Sequence, residues 1–222
     1  ADLALELSCR AESLQQAVLD DQIVTGIALP LNLQQDILAG AKPTVDIYLP
    51  SDIDQDTQEA MQVVVTGASG HLGGGLVRRL LERGDRVRVV LHRRARSVEG
   101  LDVEVVHGDV LDPASLRAAF AGGEVVYHLA GVVSIQGDAG GLVPKVNIDG
   151  AENAARAALD AGVRRLVHCS TVHALDLEVG EGALDETTPR VLVESARHAP
   201  YDRAKAEGER RVLAAIADGL DA

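Results

Sequence analysis

Short aliphatic runs alternate along residues 61–222 with stretches in which apolar positions recur every three or four residues. Val63–Val65, Val87–Leu91, Val103–His107, Val125–Leu129 and Arg165–Cys169 read as five strands, apolar almost throughout. Leu76, Val77, Leu80 and Leu81 share one helical face, and Arg83-Gly84-Asp85 breaks that helix. A second helix covers Ala114–Phe120 behind Asp112 as N-cap and Pro113 as a tolerated first residue. A third opens at Val146-Asn147-Ile148-Asp149-Gly150 and runs to about Ala161, and a last one carries Tyr201 and Lys205 and continues from Ala204 to Ile216. Residues 132–144, rich in glycine, form a loop. Five strand–helix repeats with near-continuous aliphatic strands specify an α/β fold, a doubly wound parallel sheet of the Rossmann type.

Residues 1–60 follow a different pattern. Leu14, Ala17 and Val18 mark a short amphipathic helix over 11–20, Ile23–Leu29 and Val45–Leu49 look like strands, and a helix between them spans Leu31–Leu38 and stops at Gly40. Asp52-Ile-Asp-Gln-Asp56 is a polar linker; it lacks the glycine and closing glutamate of a calcium loop. The charge sharpens the division. Residues 1–60 carry eleven acids against Arg10 and Lys42, a net of −9, whereas residues 61–222 carry 23 acids against 19 bases, a net of −4. Met61, the only methionine, stands just before the first aliphatic strand. These features predict a small αβ segment over 1–60, fused or foreign, ahead of the parallel-sheet domain over 61–222.

The overall net charge of −13 argues against a nucleic-acid surface, which needs a basic stripe. No apolar run approaches the roughly 18 residues of a membrane span and no basic-then-apolar leader opens the chain, so no membrane partner is expected. Cys9 and Cys169 fall one in each segment, which disfavours a disulfide and points to a reducing, cytoplasmic setting. Phe120, Tyr48, Tyr127 and Tyr201 are the only aromatics, so the core must be aliphatic. His71, His92, His107, His128, His168, His173 and His198 are scattered without metal-ligand spacing, and no metal site is expected.

The first strand runs into Thr66-Gly67-Ala68-Ser69-Gly70-His71-Leu72-Gly73. Gly67 allows a sharp turn, Gly70 lets backbone approach a pyrophosphate, and Gly73 lets the new helix pack close to the strand. The helix opening at His71-Leu72-Gly73 offers unpaired N–H groups and a positive dipole end, so Gly67, Ser69, Gly70, His71, Leu72 and Gly73 form a candidate phosphate cradle. Residues just past the second strand meet the adenosine ribose in such a fold. An acid there would hold a free 2′-hydroxyl; here Arg93 and Arg94 suit a 2′-phosphate, so NADP is preferred over NAD, an exposed basic turn being the alternative. Asp109 can accept from the adenine amino group with Val110 against the ring, and Ala130-Gly131 lets the chain pass close under the cofactor.

Ser170 and Thr171 stand at the end of the fifth strand, and thirty residues later Tyr201 and Lys205 share one helical face. The lysine charge favours phenolate, so Tyr201 can exchange protons with a substrate oxygen, while Lys205 can also donate to the ribose hydroxyls. Thr171, with Ser170 beside it, would hold that oxygen in line. On the same helix Glu207, Glu209, Arg210 and Arg211 read as an exposed, ion-paired face.

Thr66–Gly73, Gly108-Asp109, His128-Leu-Ala-Gly131, Val146–Gly150, Cys169-Ser-Thr171 and Tyr201-Asp-Arg-Ala-Lys205 together resemble the extended short-chain dehydrogenase/reductases, the epimerase, dehydratase and 3β-hydroxysteroid or dihydroflavonol reductase-like group. The resemblance implies Tyr201 as acid/base, Lys205 as its electrostatic partner and ribose ligand, and Thr171 as the family hydroxyl ahead of Ser170; Asn147 matches a family asparagine. It implies hydride transfer to or from a carbonyl or alcohol carbon of a small-molecule substrate, with an epimerase or dehydratase, a silent dinucleotide-binding module or a chimeric chain as alternatives. Family members continue past the Tyr-Lys helix into a C-terminal region that shapes the substrate pocket, and that half is expected to be missing here. The strand edge so exposed would be covered by the strands of residues 1–60 or by another protomer of a homo-oligomer. Ile27-Ala-Leu-Pro-Leu-Asn-Leu-Gln-Gln-Asp-Ile-Leu-Ala-Gly40 and Val45-Asp-Ile-Tyr-Leu49 resemble the extracytoplasmic segment of ABC-2-type export permeases, without a catalytic motif.

Overall fold

The structure, a computed structural model, describes residues 26–28, 46–48, 61–93, 96–134, 137–178 and 188–222. The expected helices at 11–20 and 31–38, the linker at 52–56, Cys9 and Arg94 lie outside the described residues. The chain divides into two compact units, residues 1–59 and 60–222. In the first, β1 (Gly26–Ala28) pairs antiparallel with β2 (Asp46–Tyr48), Ile27 opposite Ile47.

The second unit is the parallel sheet that the aliphatic runs foreshadow. Its strands are β3 (Gln62–Thr66), β4 (Arg86–Leu91), β5 (Glu104–His107), β6 (Val125–His128) and β7 (Arg165–His168). They pair in the order β5-β4-β3-β6-β7, every pair parallel. The order reverses between β3 and β6, and in such sheets the crevice beyond the carboxyl ends at that reversal receives the ligand.

Side chains alternate across the strands. Val64, Val90 and Val126 enter a cluster with Leu116 and Phe120 of α2 (Pro113–Phe120), Ala154 and Ala158 of α3 (Gly150–Asp160) and Val212 of α4 (Pro200–Ala217). Val63, Val65 and Val89, pointing the other way and fully buried, take α1 (His71–Arg83), whose Leu76, Val77 and Leu80 are buried. Small residues let helices approach closely. A Cβ on Gly208 of α4 would fall 2.0 Å from the Asn147 carbonyl oxygen. Asp112 caps α2 as expected, its Oδ1 accepting from the Ala114 N–H at 3.0 Å.

One local expectation needs correcting. The third helix does not open as regular α-helix: a turn at Leu142–Pro144 leads into a π-helical segment, Lys145–Asp149, before α3. Asn147 is buried in that segment, its amide holding both polar groups of Val132 (Val132 N–H to Oδ1, 3.0 Å; Nδ2 to Val132 carbonyl, 2.8 Å), which straps the loop to the helix. At the outer edge of β7 the chain itself returns, the Leu166 N–H donating to the Asp221 carbonyl at 2.8 Å while Arg165 pairs with the Asp221 carboxylate at 2.9 Å. Among the described residues no helix is long and apolar enough to cross a membrane.

Candidate active site

The cradle is built from backbone. Gly67 follows β3 with φ +72°, and a Cβ there would lie 2.5 Å from the Leu129 carbonyl carbon; only glycine fits both the angle and the approach. A Cβ on Gly73 would lie 2.3 Å from the Gly67 carbonyl oxygen, so glycine also sets how close α1 starts to β3. No side chain caps α1 at Gly70, which leaves first-turn N–H groups available to an anion. Sequence reasoning missed the brace behind this turn: Ser97 Oγ donates to the Ala68 carbonyl (3.0 Å), and Arg78 donates to the Gly74 and Ser97 carbonyls (2.8 and 2.9 Å).

In front of the turn lies a cleft of about 230 Å³ at the carboxyl ends of the strands. Gly67, Ser69, Gly70, Asp109, Val110, Ala130 and Gly131 line it, joined by Thr66, Val90, His92, Gly108, Leu129 and Val146. His71, Leu72 and Gly73 open α1 and are not among the lining residues; Arg93 is exposed and also outside the lining. His92 Nε2 stands 3.7 Å from Asp109 Oδ2, while Asp109 Oδ1 accepts from the Leu111 N–H at 2.9 Å. Side-chain-free backbone at Gly67 and Gly70, uncapped N–H groups and an apolar Val110 form a place that fits a dinucleotide.

The second cluster is built from side chains. Thr171 caps a single 3₁₀ turn at Val172–Ala174, its Oγ1 accepting from the His173 N–H at 3.3 Å, and its hydroxyl stands beside the Tyr201 phenol. Lys205 is buried, and its Nζ donates to the Cys169 carbonyl at 2.5 Å. The Cys169 N–H in turn donates to the His128 carbonyl (3.1 Å), one residue before the cleft-lining Leu129. Both clusters therefore stand at the same end of one parallel sheet. The expected lowering of the phenol pKa by Lys205 is not what this arrangement gives. Burial pushes the Tyr201 phenol up, opposed by the Thr171 hydrogen bond, and Lys205, itself pushed down by burial, spends its ammonium on a carbonyl.

The ion-paired helix face also needs correction. Glu207 does pair with Arg210 and Arg211 (3.2 and 2.8 Å), but Glu209 turns inward, accepting from Ser170 Oγ at 2.7 Å and from Arg190 Nε at 2.7 Å. Ser170 thus faces Glu209, away from the Thr171–Tyr201 contact. The spacing 201, 205, 209 put Glu209 on the Tyr-Lys face and could have signalled it.

Beneath the clusters runs a polar row. Thr66, His128 and His168 are register partners on β3, β6 and β7; Thr66 Oγ1 and His128 Nδ1 are 2.8 Å apart, and the two imidazoles stack with centroids 5.5 Å apart. Burial holds His128 down at about 3 and His168 at about 2, the nearby Lys205 charge adding to both. Neither ring nitrogen of His168 has a hydrogen-bond partner. Elsewhere Asp176, Glu178 and His198 bring possible ligand atoms within 4.8 Å of one another, a grouping that histidine spacing did not suggest. The Arg197 guanidinium, 3.1 Å from Glu178 and 3.8 Å from Asp176, supplies positive charge to it.

Comparison with known proteins then gives a family match over residues 64–220, to the 3-beta hydroxysteroid dehydrogenase/isomerase family. Sterol demethylase protein B of Methylococcus capsulatus is 40% identical over 164 residues, covering 72% of this chain and 49% of the relative. Cinnamoyl-CoA reductase 1 of Oryza sativa subsp. japonica is 41% identical over 141 residues, covering 58% and 40%. A solved short-chain dehydrogenase/reductase superfamily protein from Agrobacterium tumefaciens, with bound NAD, superposes with a TM-score of 0.57 at 30% identity, covering 68% of this chain and 44% of that one. The chain spans about half the length of the curated relatives it matches or less.

Proposed function

Because the chain belongs to the 3-beta hydroxysteroid dehydrogenase/isomerase family, within the extended short-chain dehydrogenase/reductases, we propose that it is an NAD(P)-dependent oxidoreductase with Tyr201 as its proton donor. The placing of Tyr201 beside Thr171, at the carboxyl end of the sheet that bears the glycine turn, carries this reading. A pyridine dinucleotide held at that turn supplies the hydride. Gly67, Ser69, Gly70 and the N-terminus of α1 would receive its pyrophosphate; Asp109 and Val110 would meet the adenine; Ala130 and Gly131 would let it lie close to β6.

Burial keeps the phenol protonated through neutral pH, the form that gives a proton to a carbonyl oxygen, so the site suits reduction of a carbonyl compound to the alcohol. Thr171 orients the phenol and can share the substrate oxygen. Lys205, fixed on the Cys169 carbonyl, supplies positive charge beside the pair and can reach a ribose hydroxyl. Next to Thr171 and Val191, the apolar side chains of Val172 and Leu192 are more than half exposed (51% and 58%), a surface suited to a substrate with an apolar body. The sterol and cinnamoyl names of the relatives fit that class. Arg93, just past the end of β4, supports NADPH over NADH.

The test is Tyr201→Phe, assayed with NADPH and a panel of steroid ketones and aromatic ketones and aldehydes. Nucleotide affinity should stay within about twofold while reduction falls by about 100-fold or more, the scale of a lost acid catalyst. Turnover equal to the parent's would remove Tyr201 from the chemistry.

A further inference from the structure

One face of α4 reads the end of β7 residue by residue. Tyr201, Lys205 and Glu209 lie four apart and share that face. Tyr201 meets the Thr171 hydroxyl, Lys205 Nζ the Cys169 carbonyl, and Glu209 Oε2 the Ser170 hydroxyl. Two of these contacts belong to the proposed chemistry. The third lies outside it, yet it is the most heavily built.

Glu209 uses both oxygens. Oε2 takes Ser170 at 2.7 Å, and Oε1 takes Arg190 through Nε (2.7 Å) and Nη2 (2.5 Å). Arg190 belongs to the segment that rejoins the fold after the 3₁₀ turn. Leu175 and Arg190 form an antiparallel bridge, the Val191 N–H donates to the Ala174 carbonyl at 2.9 Å, and Val191 is packed with Ala174 and Ala206. Arg210 closes the same segment from above, Nη2 donating to the Val191 carbonyl at 2.6 Å. The carboxylate of Glu209 thus ties the strand end, the catalytic helix and the returning segment at one point, 20% exposed on its side chain and with its arginine at 30%.

We propose that Glu209 is a positioning residue: through Ser170 and Arg190 it holds the Cys169–Thr171 corner so that the Thr171 hydroxyl stays on the Tyr201 phenol and the Cys169 carbonyl stays on Lys205. Ser170 is then an anchor of the corner, not a proton donor. The inference rests on the proposed chemistry for its meaning, but its test does not need turnover.

The chain's lysines are Lys42, Lys145 and Lys205 and its tyrosines Tyr48, Tyr127 and Tyr201, so side-chain carbon resonances can be assigned with Lys205→Arg and Tyr201→Phe. Titrations are followed by NMR in the parent, Glu209→Gln, Ser170→Ala and Glu207→Gln. Removing a nearby anion through space alone would lower both the Lys205 and the Tyr201 titrations. Loss of positioning has a different signature: Thr171 no longer holds the phenol, and the Tyr201 titration rises. Glu209→Gln should therefore lower Lys205 and raise Tyr201. Ser170→Ala removes no charge and an exposed hydroxyl only, and should raise Tyr201 as well. Glu207→Gln, the same charge change on the outer face, should move neither, and NADPH affinity should stay within about twofold in all three. A Tyr201 titration that stays or falls in either Glu209→Gln or Ser170→Ala overturns the proposal; if Glu209→Gln does not fold, Ser170→Ala alone decides. Failure of the oxidoreductase reading shows elsewhere, as turnover insensitive to Tyr201→Phe.

Discussion

The glycine turn after β3 and the Thr171–Tyr201–Lys205 cluster after β7 sit at the same end of one sheet, yet they are made of different materials. The turn is backbone: its shape follows from a positive φ at Gly67 and from carbonyls too close to Gly67 and Gly73 for any Cβ. The cluster is side chains whose protonation states answer to burial and to neighbours several elements away. Steric demands of the first kind are written in residue identity. Electrostatic demands of the second kind are written only in the assembled fold. The two sites should therefore fail differently, the turn abruptly on adding atoms and the cluster gradually with pH.

The sharpest break is Gly73→Ala. The new methyl carbon would stand 2.3 Å from the Gly67 carbonyl oxygen, against backbone that has no rotamer to move, so α1 must shift away from β3. Overpacking of this kind costs about 3 kcal/mol, and the cradle is lost with it. NADPH binding should weaken by at least about 100-fold, with a lower urea midpoint. Gly70→Ala serves as the contrast. Its nearest atom is 3.3 Å away, so the fold should hold while affinity drops; equal damage from both would mean the turn is not sterically specified.

The acid response should come from the other side of the sheet. His128 and His168 titrate at about 3 and about 2 when folded and near 6.5 when unfolded. The unfolded chain then binds more protons at any pH between, so stability is full above 6.5 and falls as the pH drops towards 3. Each histidine takes away about 1.4 kcal/mol per pH unit over that interval. Between pH 6.5 and 5 most carboxylates are still ionised, so urea unfolding there reads the histidines almost alone. His168→Leu removes two unpartnered nitrogens and should halve the slope; an unchanged slope would show that the stacked pair does not stay neutral.

Much of this was legible in advance, and for physical reasons. Strands buried on both faces must be aliphatic, so the runs of β3, β4 and β6 announced a parallel sheet, β5 and β7 lying less buried at its edges, and a glycine required by contact announced the cradle. Where inference from spacing failed, it failed on partners. The i, i+4 spacing of Tyr201 and Lys205 promised a lowered phenol, but spacing could not tell that the ammonium is taken by the Cys169 carbonyl and the phenol by burial. Charge alternation over Glu207–Arg211 promised a solvated face, but which carboxylate turns inward depends on Arg190, nineteen positions away and brought in by the returning segment. Asn147 and the π-helical turn depend in the same way on Val132 and on Gly208.

The smallest expected effect tests the boundary between the two kinds of site. Arg93 reads as the reader of a 2′-phosphate, yet it is exposed and outside the lining of the cleft, so whatever it contributes is a screened charge-assisted contact. Such a contact is worth about 1 kcal/mol, so Arg93→Ala should weaken NADPH by about fivefold and leave NADH unchanged. The effect should shrink further as salt rises from 50 to 500 mM, because an exposed pair is separated from bulk ions by nothing but water. Fluorescence titration of both nucleotides at both salt levels reads all of this. If NADPH and NADH weaken together, Arg93 acts on the fold of the turn and not on the phosphate. If the parent already binds NADH as tightly as NADPH, the choice of cofactor lies with His92 and Asp109, the pair that does line the cleft, 3.7 Å apart.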